Sequence, residues 1–157
     1  MARLSRIASA AAAVLLVAAT TSLVTAGTAN ASAGDCAHGA NGFTDIPDNL
    51  DGSIVRPSPP PTGGYEQVWL QTGTVNGRQQ AWAYLWGGSF TSTRQGDQVW
   101  MDWTRDNGRT WLQCGPFTAG SGAFTLTSAA QVTSNDPNWR FRAGASISGR
   151  ISVTDWW

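Results

Sequence analysis

Apolar and polar residues alternate with a period of two from residue 65 onward, and turn-forming residues interrupt the alternation at short intervals. Such a pattern is typical of antiparallel strands that have one face in a core and the other toward solvent. None of these windows keeps a helical period. The pattern predicts seven strands, which cover residues 68–75, 79–86, 98–104, 110–117, 124–132, 139–147 and 151–156.

Tight turns separate several of these strands. Asn76-Gly77 is a strong two-residue hairpin signal, because a type I′ turn needs a positive φ at both positions. Ser148-Gly149 is predicted to form another tight turn. Seven short strands in about 95 residues predict an all-β fold, an antiparallel two-sheet sandwich of the immunoglobulin or fibronectin type. A small closed β-barrel is the alternative.

The face that looks inward can be assigned for residues 139–147. Arg140 and Arg142 alternate there with apolar residues, and two arginines cannot face a small core unpaired. The inward set is therefore predicted to be Trp139, Phe141, Ala143, Ala145 and Ile147. In residues 98–104, Trp100 and Asp102 lie on the face opposite to Val99, Met101 and Trp103.

Residues 79–86 can be placed in either of two orientations. One face carries aromatic residues and the other carries smaller apolar residues, namely Trp82, Tyr84 and Trp86 against Ala81, Ala83 and Leu85. Aromatic strand residues usually pack, which favours placing the aromatic face in the core. In the opposite orientation the aromatic residues would form an exposed strip together with Trp69 and Trp100.

Residues 1–33 have the three parts of a secretory signal peptide. Arg3 and Arg6 precede an apolar stretch that is densest at residues 10–19, and Ala31-Ser32-Ala33 resembles a cleavage site. The apolar run of about ten residues is too short to span a bilayer. We therefore expect a secreted, extracellular protein that is cleaved near Ala33, or after Ala31, and that has no membrane association afterwards.

The rest of the chain divides by composition. Residues 34–55 are predicted to be a polar N-terminal tail, and residues 56–64 a Pro/Gly linker with extended polyproline geometry. Residues 65–157 are predicted to be the single β-sandwich domain, because the length allows only one sizeable domain.

Cys36 and Cys114 are the two cysteines of the chain. An even pair in an exported protein is usually a disulfide, which here would tie the tail to the domain. A catalytic pair of Cys36 with His38 is the alternative. Because such dyads are assembled in space from distant segments, a spacing of two residues in one short loop does not favour it.

Composition excludes several functions. Charged residues make up 13% of the chain, which has ten Arg, ten acidic residues and no Lys. A chain without a basic block is a poor nucleic-acid binder, so we expect no nucleic-acid partner. Two Cys and one His cannot supply a four-ligand zinc site of the usual Cys/His kinds, and we expect no metal and no cofactor.

Carboxylates are the remaining candidates for catalysis. Glycosidases use two of them, and Asp97, Asp102 and Asp106 are close in sequence, while Glu66 is the only Glu. Asp102 lies inside a predicted strand, where burial would raise its pKa, but an outward, solvated position is more typical. We assign no catalytic residue and favour a non-catalytic protein.

Three further carboxylates, Asp45, Asp48 and Asp51, recur every third residue in the predicted tail. Oxygen-rich loops of this kind can hold calcium. The alternating acid spacing and the central Gly of an EF-hand loop are missing, which favours a solvated tail.

Residues 104–111 fit the pattern S/T-x-D-x-G-x-T-W at every key position: Thr104, Asp106, Gly108, Thr110 and Trp111. A short Asp side chain can bond backbone N–H groups across a turn, and Gly supplies a positive φ. The segment resembles the Asp-box, a hairpin found in sialidase propellers and in unrelated secreted proteins. The resemblance implies a structural hairpin, with Trp111 packed beneath the turn, and no activity.

Nine Trp residues, all within residues 65–157, are more than a small domain readily buries. An exposed aromatic patch normally marks a binding surface. We therefore predict a carbohydrate-binding module in which sugars stack on the aromatic side chains of Trp69, Trp82, Tyr84, Trp86 and Trp100. Hydrogen bonds to sugar hydroxyls are expected from Arg78, Gln79, Gln80 and Asp102.

Two other functions stay open. A secreted protein-interaction or inhibitor domain could use the same aromatic residues and the arginines, since Trp and Arg are enriched at interfaces. A small glycan hydrolase would use the Asp residues named above. The expected partner is thus a polysaccharide or an extracellular protein, and the sequence does not determine the oligomeric state. In style, the chain resembles the small Trp-rich secreted proteins of actinobacteria, which implies no particular activity.

Overall fold

The structure, a computed structural model, describes residues 31–59, 66–88 and 93–157. These residues form two β-sheets that pack face to face, so the predicted all-β sandwich is confirmed. Residues 1–30 of the predicted signal peptide lie outside the described residues. Residues 60–64 of the predicted linker also lie outside them.

The described residues contain eleven strands and two short 3₁₀ segments, Ala33–Asp35 and Ala37–Gly42. The strands are β1 (Ala31–Ser32), β2 (Phe43–Thr44), β3 (Ser53–Pro57), β4 (Gln67–Val75), β5 (Arg78–Trp86), β6 (Gln98–Thr104), β7 (Leu112–Thr118), β8 (Thr125–Thr127), β9 (Ala130–Val132), β10 (Arg140–Ile147) and β11 (Arg150–Val153).

The larger sheet has the strand order β2-β9-β5-β4-β3, and β8 also pairs with β5. The smaller sheet has the order β1-β7-β6-β10-β11, in which only the short β1 is parallel to its neighbour. The chain forms the β4-β5 hairpin in the larger sheet and β6-β7 in the smaller one. It returns to the larger sheet for β8 and β9, and it then forms β10 and β11 in the smaller sheet. This alternation between sheets is typical of Greek-key sandwiches.

The core lies between the two sheets and combines small side chains with large ones. Ala81 and Ala83 of β5 are fully buried there, as are Met101 of β6 and Phe141 of β10. The inward face predicted for residues 139–147 is confirmed, since its residues belong to the core or pack against it. Small residues on one strand leave space for large ones on another, which gives the density of a protein interior.

The predicted hairpin turns are confirmed by their backbone angles. Asn76 and Gly77 have φ values of 50° and 74°, and Ser148 and Gly149 have values of 50° and 78°. The turns therefore have the left-handed geometry that a two-residue connection between twisted strands requires.

Three predicted strands have clearly different bounds in the structure. Residues 154–156, which are predicted to continue the last strand, lie beyond its end at Val153. The strand predicted at 110–117 begins at Leu112, because Thr110 belongs to the preceding turn and bonds Asp106 with its backbone N–H and its hydroxyl. The strand predicted at 124–132 is divided into β8 and β9. Ser128 lies between them, and its hydroxyl accepts a bond from the backbone N–H of Ala83 at 3.0 Å.

Residues 34–57 contribute two strands to the larger sheet and side chains to the core. β2 pairs with β9, and β3 runs along the outer edge of β4. The side chain of Phe43 is 3% exposed and packs edge-on against Trp103 at 5.7 Å. Residues predicted as tail and linker thus supply hydrogen-bond partners that the edges of the larger sheet would otherwise lack.

The predicted disulfide between Cys36 and Cys114 is confirmed, with Cα atoms 5.3 Å apart. Both cysteines are fully buried, and the bond joins the N-terminal segment to β7 across a sequence separation of 78 residues. It therefore fixes the segment that carries β2 and β3 to the opposite sheet.

Replacing both cysteines by serine should lower the free energy of unfolding by about 4 kcal/mol, because the unfolded chain regains the entropy of a long loop. Urea unfolding of the wild type and of the double variant measures this difference. A change below about 1 kcal/mol would show that the bond does not constrain the unfolded chain as proposed.

Candidate functional site

The aromatic residues of β5 lie on the outer face of the larger sheet. Ala81, Ala83 and Leu85 belong to the core cluster, so the preference for an aromatic core face is wrong for this strand. The reason is volume, because the space facing β5 is occupied by large side chains of β6 and β10.

Two of these outer residues pack with Trp69 of the neighbouring strand β4 into one group, which we call the aromatic platform: Trp69, Tyr84 and Trp86. The rings of Trp69 and Tyr84 are parallel within 1°, with centroids 5.8 Å apart, because the two residues are directly paired across β4 and β5. Trp86 stacks on Trp69 at 5.4 Å and 24°. Trp69 and Trp86 are partly exposed, whereas Tyr84 is 7% exposed. The two indoles thus form the accessible part of the platform.

Trp82 lies on the same outer face but is 1% exposed. Its ring fits against two glycines: a Cβ at Gly52 would lie 2.7 Å from Cζ2, and one at Gly73 would lie 2.9 Å from Cη2. Ile46 and Leu50, from the segment that precedes β3, also pack on this outer cluster. This segment therefore covers part of the outer face, and Trp69 and Trp86 remain partly exposed among the described residues.

Polar groups surround the platform. Trp69 Nε1 donates a hydrogen bond to Gln67 Oε1 at 3.0 Å. Burial raises the pKa of the Tyr84 phenol, and the negative charge of Asp51 adds to the rise, while a hydrogen bond with the Thr125 side chain acts in the opposite direction. Asp51 also accepts a bond from Gln71 Nε2 at 2.9 Å. The rim of the platform therefore presents amide, hydroxyl and carboxylate groups.

The polar residues that the sequence predicts to bind sugar hydroxyls do not lie beside the platform. Arg78 and Gln79 begin β5, at the opposite end of the hairpin from Trp86. Gln80 is buried and donates to the backbone carbonyl of Val75 at 3.1 Å. Thr125 and Asp51 could not be found by local pattern, because pairing of distant segments brings them to β5.

Trp100 is not part of the platform, because it lies on the outer face of the other sheet. Its ring lies flat over Gly144, where a Cβ would collide with the indole. Trp100 is 9% exposed. Of the five predicted binding residues, the fold thus brings together three on the platform and buries Trp82 beside them.

Asp102 also lies on the outer face of the smaller sheet, but it is almost completely buried. Burial raises the pKa of its carboxyl group, although hydrogen bonding and the charge of Arg142 act in the opposite direction. Arg142 Nε donates to Asp102 Oδ2 at 2.9 Å, and its guanidinium lies 4.5 Å from the ring of Trp156. The pair is thus covered by an indole.

The other acidic candidates are engaged separately. Both oxygens of Asp97 accept backbone bonds, from Arg94 and Ser148. Asp45 accepts from the backbone N–H of His38, and Asp48 accepts from that of Thr127. Within residues 31–59, 66–88 and 93–157, no group of three His, Cys, Asp or Glu side chains is arranged to hold a metal ion.

The turn at residues 104–111, which we call the 104–111 turn, is fixed by side-chain hydrogen bonds. Asp106 accepts bonds from the hydroxyls of Thr104 and Thr110, both at 2.7 Å. The backbone and hydroxyl of Thr110, and then Thr104, lower the pKa of Asp106 to about 2. Trp156, rather than Trp111, lies against Gly108, and Trp111 remains 37% exposed, so the expected packing of Trp111 beneath the turn is wrong.

Comparison of the chain with protein-family models, with curated proteins and with solved structures gives no match. Among the described residues there is no helix long and apolar enough to cross a membrane. Function is therefore inferred from the geometry of the site.

Replacing Gly73 by alanine should lower the free energy of unfolding by about 1–3 kcal/mol, because the added methyl group would displace the buried ring of Trp82. Chemical denaturation measures the effect. Gly120→Ala is the control, since a Cβ there meets open space. Equal stability of both variants would contradict the packing described for Trp82.

The stability contributed by Asp106 should depend on pH below 4. Its pKa is lowered from 3.8 to about 2 in the folded protein, so its contribution is complete above pH 4 and is lost as the pH falls toward 2. The difference in urea midpoint between the wild type and Asp106→Asn should therefore shrink over this range. Asp155→Asn controls for the loss of one exposed negative charge. A difference that stays constant from pH 5 to pH 2 would refute the assignment.

Proposed function

We propose that this protein is a secreted, non-catalytic carbohydrate-binding module, and that its aromatic platform is the binding surface. The observation that carries the proposal is the stacking of Trp69 on both Tyr84 and Trp86 on an outer sheet face, where the two indoles remain partly exposed. Side chains with this much apolar area are normally buried, and their exposure in a cluster is typical of a binding surface.

The chemistry of the platform suits a sugar ring. An indole has a negative face, and a pyranose presents polarised C–H groups on one side of its ring, so the two attract when stacked. Trp69 and Trp86 are held by each other and by the strands that carry them. Little conformational entropy is therefore lost when a sugar binds.

The rim of the platform supports a neutral glycan. Gln67 and Thr125 supply amide and hydroxyl groups next to the rings, and such groups can donate to and accept from sugar hydroxyls. The carboxylate of Asp51 is close enough to affect Tyr84. Negative charge at the rim favours an uncharged polysaccharide over an acidic one.

Export is supported by two features. The first 33 residues have the composition of a signal peptide, and the buried disulfide is a bond that persists in oxidising compartments. An extracellular location would place the module where polysaccharides are available.

A protein-interaction domain is the second candidate. Ile151 and Val153 are 67% and 38% exposed and lie two residues apart on β11, which is the edge strand of the smaller sheet. Exposed apolar residues on an edge strand favour pairing with another chain. This surface is distant in the fold from the platform, so variants separate the two functions.

Replacing Trp86 or Trp69 by alanine should weaken binding to a neutral polysaccharide by about tenfold, because each change removes a stacking surface. Affinity electrophoresis against gels containing soluble glucan or mannan measures retention. Trp111→Ala is the matched control, since it removes an exposed indole at the end of the 104–111 turn and should leave retention unchanged.

Retention that is absent for all neutral glycans would refute the carbohydrate proposal. Retention that survives both platform substitutions would also refute it, because binding would then occur elsewhere. If Ile151→Ser and Val153→Ser abolish capture of an extracellular protein while the platform variants retain it, the second candidate is supported instead.

A further inference from the structure

A groove lies beside the 104–111 turn, on the side where the N-terminal segment approaches the smaller sheet. Its volume is about 640 Å³, and its walls include Asn41, Trp103, Arg105, Thr110 and Trp111. We call it the turn groove. None of these side chains belongs to the aromatic platform, so the turn groove is a separate site.

Arg105 supplies a fixed positive charge in this groove. Its guanidinium carbon lies 4.4 Å from the centroid of the Trp103 ring and 4.9 Å from that of Trp139. Arg105 is exposed and forms no ion pair with any carboxylate in the described part of the chain. Two indole faces orient the guanidinium by cation–π attraction while its N–H groups stay available to a ligand.

The 104–111 turn sets the distance between this cation and the apolar wall. Arg105 follows Thr104 at the start of the turn, and Trp111 ends it. Both ends are tied to Asp106, whose oxygens bond Thr104 and Thr110. Trp111 is fixed on its other side by edge-on contact with Trp156 at 6.5 Å. The charged and apolar walls are therefore pre-organised by hydrogen bonds that the platform does not use.

We propose that the turn groove binds an acidic sugar residue, a uronate, with its carboxylate on Arg105 and its ring against Trp111. A guanidinium presents paired N–H donors that match the two oxygens of a carboxylate. The exposed indole of Trp111 supplies a flat surface for the apolar face of a pyranose. Asn41 and Thr110 add polar groups on the same walls.

A uronate fits these walls better than an acidic peptide does. The groove places its cation next to flat aromatic surfaces. A pyranose ring can stack on such a surface while its carboxylate reaches the guanidinium, whereas the acidic side chain of a peptide has no ring to stack. This site goes beyond the proposed function, because the rim of the platform is negative and favours neutral sugars.

Titration of the full oxidised protein with oligogalacturonate, followed through ¹⁵N-labelled indole signals, tests the proposal. The signals of Trp103 and Trp111 should shift, while those of Trp69 and Trp86 should stay in place. Arg105→Gln should weaken binding by about tenfold or more, and Arg105→Lys by less, since it keeps the charge but loses the paired donors.

Three further arms make the result decisive. Arg109→Gln, an exposed cation on the same turn that does not line the groove, should leave affinity unchanged. Carboxyl-reduced oligosaccharide should lose binding, and a poly-glutamate peptide should bind more weakly than the oligouronate. Equal losses for the Arg105 and Arg109 variants, or tighter binding of the peptide, would overturn the proposal.

Failure of this site and failure of the proposed function are distinguishable. Trp86→Ala should weaken the response to neutral glycan and preserve the response to oligogalacturonate, whereas Arg105→Gln should do the reverse. Thermal unfolding of each variant excludes loss of fold as the cause. If no indole signal shifts with oligogalacturonate, the acidic-sugar site is refuted, whatever the platform binds.

Discussion

The limited space between the sheets at β5 is the constraint on which the rest of the structure depends. Ala81 and Ala83 are fully buried there, and Met101 and Phe141 fill the volume that these small residues leave. An indole on the inner face of β5 would have to displace one of them, at a cost typical of an overpacked core. The aromatic residues of this strand therefore occupy the outer face.

Large rings on an outer face expose apolar surface to solvent, and the rest of the chain covers only part of that surface. Gly52 and Gly73 make room for the ring of Trp82, and the segment before β3 covers it. The buried disulfide at Cys36 fixes the start of this N-terminal segment to β7. Trp69 and Trp86 nevertheless remain partly exposed, and they provide the surface to which we assign binding.

Local patterns predicted the strands and turns because those depend on neighbouring residues. The Asn76-Gly77 turn and the inward face of β10 follow from φ preference and from the two arginines. The orientation of β5 could not be predicted, because both of its faces are apolar and only the volume of distant strands decides between them. The roles of Thr125 and Arg105 were missed for a similar reason, since pairing and ring contacts between separate segments define them.

The most direct test of the central claim is an indole ¹⁵N–¹H spectrum of the oxidised protein, recorded while a neutral oligosaccharide is added. The nine Trp residues give separate signals that can be assigned by single substitutions. The account predicts that the signals of Trp69 and Trp86 shift in a saturable manner, while those of the buried Trp82 and Trp100 stay in place. Shifts confined to other indoles, or an unchanged spectrum with every neutral glycan tested, would contradict it.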